Sequence, residues 1–110
     1  MNNDDRVAEI IGKNTPIRYA RTITSTYTFD LQKENRLRFN PSVYFIEDCF
    51  EEIVDKFLAL ETDEEQLLYI WGHSFEMDYS SDNWVKLEEF FKLISGRDDI
   101  FYGTNKEVLL

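Results

Sequence analysis

Leu67-Leu68-Tyr69-Ile70-Trp71-Gly72-His73-Ser74-Phe75-Glu76-Met77-Asp78 is the stretch that decides how this chain reads. Apolar, β-prone residues run without interruption over 67–71. Such a run predicts a strand covered on both faces, the type found in parallel sheets. Gly72 permits a tight exit, so His73 falls at the strand's C-terminal end. It is the only histidine in 110 residues. In open α/β sheets and (β/α) barrels, chemistry gathers beyond such strand ends. An unperturbed histidine titrates near neutral pH, so His73 is either a general acid or base or a structural histidine satisfied by its neighbours.

The flanking segments alternate in type. Upstream, residues 46–60 predict a helix, with Ile46, Cys49, Phe50, Ile53, Val54 and Phe57 at helical spacing and acids opposite. Downstream, 82–95 predicts a second helix, started by Ser81 or Asp82 and ended near Gly96. Its inward face would carry Trp84, Leu87, Phe90, Phe91 and Ile94. Nearer the N-terminus, 4–13 reads as a short helix broken by Asn14-Thr15-Pro16, and 17–23 alternates like a strand. Residues 24–45 are the least regular part, with a turn at Asn40-Pro41. Residues 99–103 read as a third strand, and 106–110 as the start of a further element. Alternating helices and strands imply βαβ units and a parallel sheet. The expected fold is therefore α/β: a partial (β/α) barrel in one domain over 1–110, with three parallel strands, flanking helices and open edges. A closed barrel needs roughly 200–250 residues, and open edges invite pairing with another chain.

Composition narrows the function. The formal net charge is −10, from 12 Lys and Arg against 22 Asp and Glu. That disfavours nucleic acid, which needs clustered bases, and anionic membrane surfaces. Nine of the acids lie between Glu47 and Glu65 with Lys56 as the only base, which reads as a docking face or as a solvated helix side plus a charged loop. No stretch is long and apolar enough to span a bilayer, and the start lacks the pattern of a secretory signal, so the expected location is the cytoplasm. Cys49 stands alone and permits no internal disulfide. Its spacing places it on an apolar helix stripe as a core thiol.

The candidate site residues start from His73. Glu76 and Asp78 follow at +3 and +5; the three could ligate a metal, although His-x-x-Glu-x-Asp is no specific metal signature. Alternatively, Glu76 pairs with an arginine such as Arg21, and Asp78 caps or charges the next helix's N-terminus. Trp71 could stack on a sugar, whereas Trp84 reads as core. Asp30, with Arg21 and Arg38, either orients a catalytic group or forms a loop ion pair. Nucleotide-binding and zinc-protease motifs are absent from the sequence.

Several blocks together carry a resemblance: Tyr19-Ala20-Arg21-Thr22, Ser25-Thr26, Phe29-Asp30-Leu31, Asn40-Pro41, the Trp71-Gly72-His73-Ser74-Phe75-Glu76-Met77-Asp78 run, Asn83-Trp84, and Asp98-Asp99-Ile100-Phe101-Tyr102-Gly103-Thr104-Asn105-Lys106-Glu107. From about residue 4 to residue 110, the chain resembles the C-terminal half of a bacterial polysaccharide deacetylase of carbohydrate esterase family four, the chitooligosaccharide and peptidoglycan N-deacetylases. The resemblance implies a distorted (β/α) barrel that removes acetyl groups from N-acetylated sugars. It implies a divalent metal, usually zinc, held by one Asp and two His from early strands, with a second early Asp as base. His73 matches the late-strand histidine that protonates the leaving amine. Glu76 or Asp30 would orient it, and Trp71 would face the sugar.

The early Asp-Asp, His-x-x-x-His and Arg-x-Pro-aromatic motifs would lie upstream of residue 1. The expectation is thus a truncated deacetylase-like domain, with no metal or cofactor in this chain and no activity alone. Its partner would be a second copy or a complementary N-terminal barrel half. The alternative is a non-enzymatic interaction domain acting through homo-oligomerisation or its acidic surface.

Overall fold

Asp4 starts the first helix by accepting the Val7 backbone N–H on its carboxylate at 2.8 Å, the bond an N-cap supplies. In the computed structural model, which describes residues 4–32 and 34–109, this helix, α1, covers Asp5–Asn14. The elements that follow are strand β1 (Val43–Tyr44), helix α2 (Phe50–Leu58), strand β2 (Ile70–Trp71), helix α3 (Ser81–Ile94) and helix α4 (Asn105–Leu109). Short 3₁₀ turns lie at Arg36–Arg38 and Ser74–Tyr79. The described residues group into two compact units, 4–71 with Leu109 and 72–108.

The first unit is built on parallel pairing. β1 and β2 pair in parallel, with Val43 opposite Ile70 and Tyr44 opposite Trp71. α2 is the crossover between them, as a βαβ connection requires. On the other side of β1, the chain over 20–27 runs alongside 36–42. The Thr22 N–H donates to Phe39 O at 2.7 Å, Thr26 N–H to Pro41 O at 3.0 Å and Tyr27 N–H to Ser42 O at 2.9 Å. The expected strand over 17–23 thus reduces to one parallel bridge, Arg21 to Phe39. The chain cannot stay extended beyond it, because Tyr27, Gln32 and Asn35 all take left-handed backbone angles.

The central segment, 39–45, lies where the sequence predicts an irregular loop. Proline normally demotes a strand signal, but here Pro41 contributes its carbonyl, and the Asn40 N–H is taken by the Gln32 side chain at 3.1 Å. Val43 is completely buried, and Phe39, Phe45, Phe50 and Val54 nearly so. Ring pairs knit this core. Phe45 meets Phe50 edge-on at 5.0 Å, Phe39 meets Tyr69 at 5.0 Å, and Phe29 meets Phe57 at 5.2 Å. Full burial of a ring such as Phe39, Phe45 or Phe50 contributes about 1.5–3 kcal/mol.

α2 is shorter than the predicted 46–60. Residues 44–47 form a turn, with the Glu47 N–H bonded to Tyr44 O at 3.0 Å, and Cys49 becomes the N-cap residue. Cys49 is therefore a half-buried helix-start residue rather than a core thiol. At the other end, the Leu60 N–H reaches Phe57 O at 3.2 Å and tightens the last turn.

In the second unit, α3 is capped by Ser80, whose hydroxyl accepts the Asp82 N–H at 3.1 Å, and not by Ser81 or Asp82. Gly96, at φ +70°, sits just past its end in the left-handed conformation that glycine tolerates. Residues 99–103, expected as a strand, form no strand. The Tyr102 hydroxyl donates to Ile94 O and accepts the Arg97 N–H at 3.0 Å, which folds this segment against the end of α3. The element expected over 106–110 is α4; position 110 lies outside the described residues. α4 starts at a reciprocal pair: Thr104 N–H donates to the Glu107 carboxylate at 3.1 Å, and Glu107 N–H to the Thr104 hydroxyl at 3.2 Å. The Thr-Asn-x-Glu block is therefore a helix-start device.

Candidate functional site

His73 is the second residue of the second unit, two positions beyond the end of β2. Its backbone is extended, and the chain then closes into the 3₁₀ turn of Ser74–Tyr79. Spacing explains the geometry. A residue three positions into a helical turn lies over its start, so the Glu76 side chain reaches back. Its Oε1 accepts the His73 backbone N–H at 2.6 Å and lies 3.2 Å from His73 Nδ1. The Glu76 side chain is 7% exposed, that of His73 48%. A nearly buried carboxylate thus holds a half-exposed imidazole.

An ionised carboxylate only accepts hydrogen bonds, so in the tautomer that bonds it Nδ1 carries the proton. The basic lone pair of the neutral ring then falls on Nε2. This is how a carboxylate selects the tautomer and orientation of an acid–base histidine. Phe75 stacks on the imidazole at 5.1 Å with 23° between planes. Asn83 Nδ2 donates to Glu76 O at 2.8 Å and ties the turn to α3. Asp78 accepts Trp84 Nε1–H at 3.3 Å rather than capping α3. Trp84 itself is 53% exposed, not a core residue.

Trp71 and Asp30 belong to the first unit. The Arg21 guanidinium lies over the Trp71 ring at 4.2 Å, and Tyr44 packs against that ring at 4.3 Å. Arg21 therefore engages an indole by a cation–π contact. Asp30 is exposed and accepts the Thr28 hydroxyl at 3.4 Å. The loop ion pair in this region is Arg38 with Asp5, at 2.7 Å, and not Arg38 with Asp30. Of the predicted site residues, His73 and Glu76 are thus brought into contact. Trp71 and Asp30 each have other neighbours.

One cluster escapes sequence reasoning. The Glu47 carboxylate accepts from the Ser25 hydroxyl, from the Tyr27 hydroxyl at 2.6 Å and from the Tyr44 N–H at 3.2 Å, and lies 3.6 Å from Cys49 Sγ. The hydrogen bond to Glu47 pushes the Tyr27 phenol above its ordinary range, and partial burial followed by the Glu47 charge does the same to the Cys49 thiol. The cluster latches the loop that carries Ser25 and Tyr27 onto the start of α2. Only the +3 spacing from Tyr44 to Glu47 hints at it in the sequence.

Among the described residues, no three His, Cys, Asp or Glu side chains are grouped to hold a metal ion. His73, Glu76 and Asp78 form no such group. No helix among the described residues is long and apolar enough to cross a membrane. Comparison with models of known protein families, with curated proteins and with solved structures finds no match to this chain.

Proposed function

We propose that this chain is a polysaccharide deacetylase-like domain, equivalent to the C-terminal half of that partial (β/α) barrel, in which His73 is the proton donor to the leaving amine of an N-acetylated sugar. The observation that carries the reading is the His73–Glu76 pair. A 3.2 Å contact from a nearly buried carboxylate to Nδ1 fits an imidazole that takes up a proton at Nε2 and passes it on to the leaving amine. Glu76 is the positioning residue. The sequence blocks around His73 and Thr104 supply the family reading, and a location in the cytoplasm goes with it.

A single histidine leaves the water-activating half of the reaction to residues outside this chain. Activity then belongs to an assembly with an N-terminal half carrying the metal-binding motifs. The test is acetate release from N-acetylglucosamine oligomers. The chain alone should release none, and the chain co-expressed with the N-terminal half of a bacterial polysaccharide deacetylase should release acetate. A folded, zinc-loaded pair that releases none would overturn the reading.

A second reading, a non-enzymatic interaction domain, is favoured by one feature. Trp84 and Phe91 on α3 are each more than half exposed and line, with Leu87, Ile94 and Tyr102, a groove of about 740 Å³. Exposed apolar surface of this kind marks interaction sites.

A further inference from the structure

Bases are scarce in this chain, with 12 against 22 acids, so a base facing a groove without a carboxylate partner is unexpected. Arg18 and Arg36 are two such bases. They line a groove of about 510 Å³ beside α1, together with Asp5, Glu9 and Asn35. Both acids of the groove are engaged by other bases. Asp5 accepts from Arg38 at 2.7 Å, and Glu9 from Lys13 at 2.5 Å. Among the described residues, neither Arg18 nor Arg36 has an ion pair or a side-chain hydrogen bond. The two are held near one another by the backbone. The Ala20 N–H donates to Arg36 O at 3.0 Å, and the Phe39 N–H to Ala20 O at 2.9 Å. The left-handed turn at Asn35 sets the position from which Arg36 projects.

The same unit carries the complement. Glu61, Asp63, Glu64 and Glu65 are all exposed, and none is ion-paired among the described residues. Lys56, the one base near them in sequence, is 3.5 Å from Glu52. The Thr62 hydroxyl accepts the Glu64 N–H at 3.1 Å, a local turn that shapes the segment.

We propose that the Arg18–Arg36 groove receives the acidic 61–65 segment of a second copy of this chain. Guanidinium forks match carboxylates bidentately, and a groove of this size suits several side chains rather than a single inorganic anion. Opposite surfaces meet, so the contact is head-to-tail and builds rings or open chains. It deepens the interaction-domain reading by naming what the acidic surface meets. Exposed charge pairs are weak and screened by salt, so the association is ionic-strength dependent. Pairing through sheet edges or the α3 groove would not be.

The test is sedimentation velocity of the full chain over a concentration series at about 20 mM and about 500 mM NaCl, chosen to span long and short screening lengths. Mass should rise with concentration at low salt and not at high salt. Arg18→Glu/Arg36→Glu should associate about tenfold more weakly or not at all. So should Glu61→Lys/Asp63→Lys/Glu64→Lys, whose positions are exposed and place no demand on the core. Mixing the two variants should restore association, because each supplies the sign that the other lacks. A monomer at both salts would overturn the proposal, as would inorganic phosphate binding at the arginines without self-association. Association that survives high salt would overturn it too, while leaving the interaction-domain reading in place.

Discussion

Phe39, Phe45, Phe50 and Val54 in the first unit keep 4% or less of their surface exposed, whereas Phe75, Tyr79, Trp84 and Phe91 in the second keep more than half. Both α2 and α3 carry apolar residues at helical spacing, more sharply one-sided in α2, and α2 has three buried residues where α3 has none. Periodicity records which side of a helix is meant to be covered. It does not record whether the cover lies in the same unit. In the first unit the cover is β1 and the aromatic residues around it. The second unit is held instead by hydrogen bonds at its turns: Glu76 onto His73, Ser80 onto Asp82, Tyr102 onto the end of α3, and Glu107 onto Thr104.

The most forceful way to break this contrast is to delete one ring from each unit. Phe50→Ala should cost about 3–5 kcal/mol in urea unfolding, the range for a buried phenylalanine. Phe91→Ala should stay within about 0.5 kcal/mol, as exposed positions do. Equal losses would show that α3 is covered after all.

Next in size is the Glu47 latch. Glu47→Ala removes the acceptor shared by Ser25, Tyr27 and the Tyr44 N–H and should cost about 1 kcal/mol, the net worth of hydrogen bonds whose freed donors can reach water. Glu47→Gln should lower the pH at which Cys49 reacts with an alkylating agent, because the nearby charge that raises its thiol is gone. An unchanged alkylation profile would remove Glu47 as a cause.

Ser80→Ala tests the hydrogen-bonded second unit and should cost about 1 kcal/mol of α3 stability, read as lost far-UV helicity against an unchanged first-unit core. The smallest effect is at Glu107. The Thr104 backbone and hydroxyl bonds hold its carboxyl below the ordinary glutamate value. Its contribution to α4 is therefore present above the unfolded value of about 4.3 and is lost as pH falls through the lower folded one. The Thr104 amide resonance should move in that acidic window in the wild type and not in Glu107→Gln.

Much of this arrangement is legible in the sequence where the relevant contacts are local. The helical spacing around Phe50 and Phe90 locates α2 and α3, and the apolar run ending at Trp71 contains β2. The +3 spacing of His73 and Glu76 places a carboxylate over an imidazole. What was not legible depends on distant partners. β1 is hidden by Asn40-Pro41, which reads as a turn until Gln32 and Thr26 are brought alongside. The 99–103 segment looks β-prone, but Tyr102 finds its acceptor on α3 instead of in a sheet. Glu47 gathers Ser25 and Tyr27 from some twenty positions away, which no local pattern announces. Arg21 over an indole ring and Asp30 beside the Thr28 hydroxyl are likewise contacts that residue spacing does not announce.

The central claim is that the imidazole held by Glu76 donates a proton, and its most direct measurement is acetate release by the chain paired with a metal-bearing N-terminal half, before and after His73→Ala. The account predicts a fall of about 10²–10⁴ in turnover, the range for lost acid–base catalysis, with pairing and zinc content unchanged. An unchanged turnover would contradict it and leave the His73–Glu76 contact as a device for starting a helical turn.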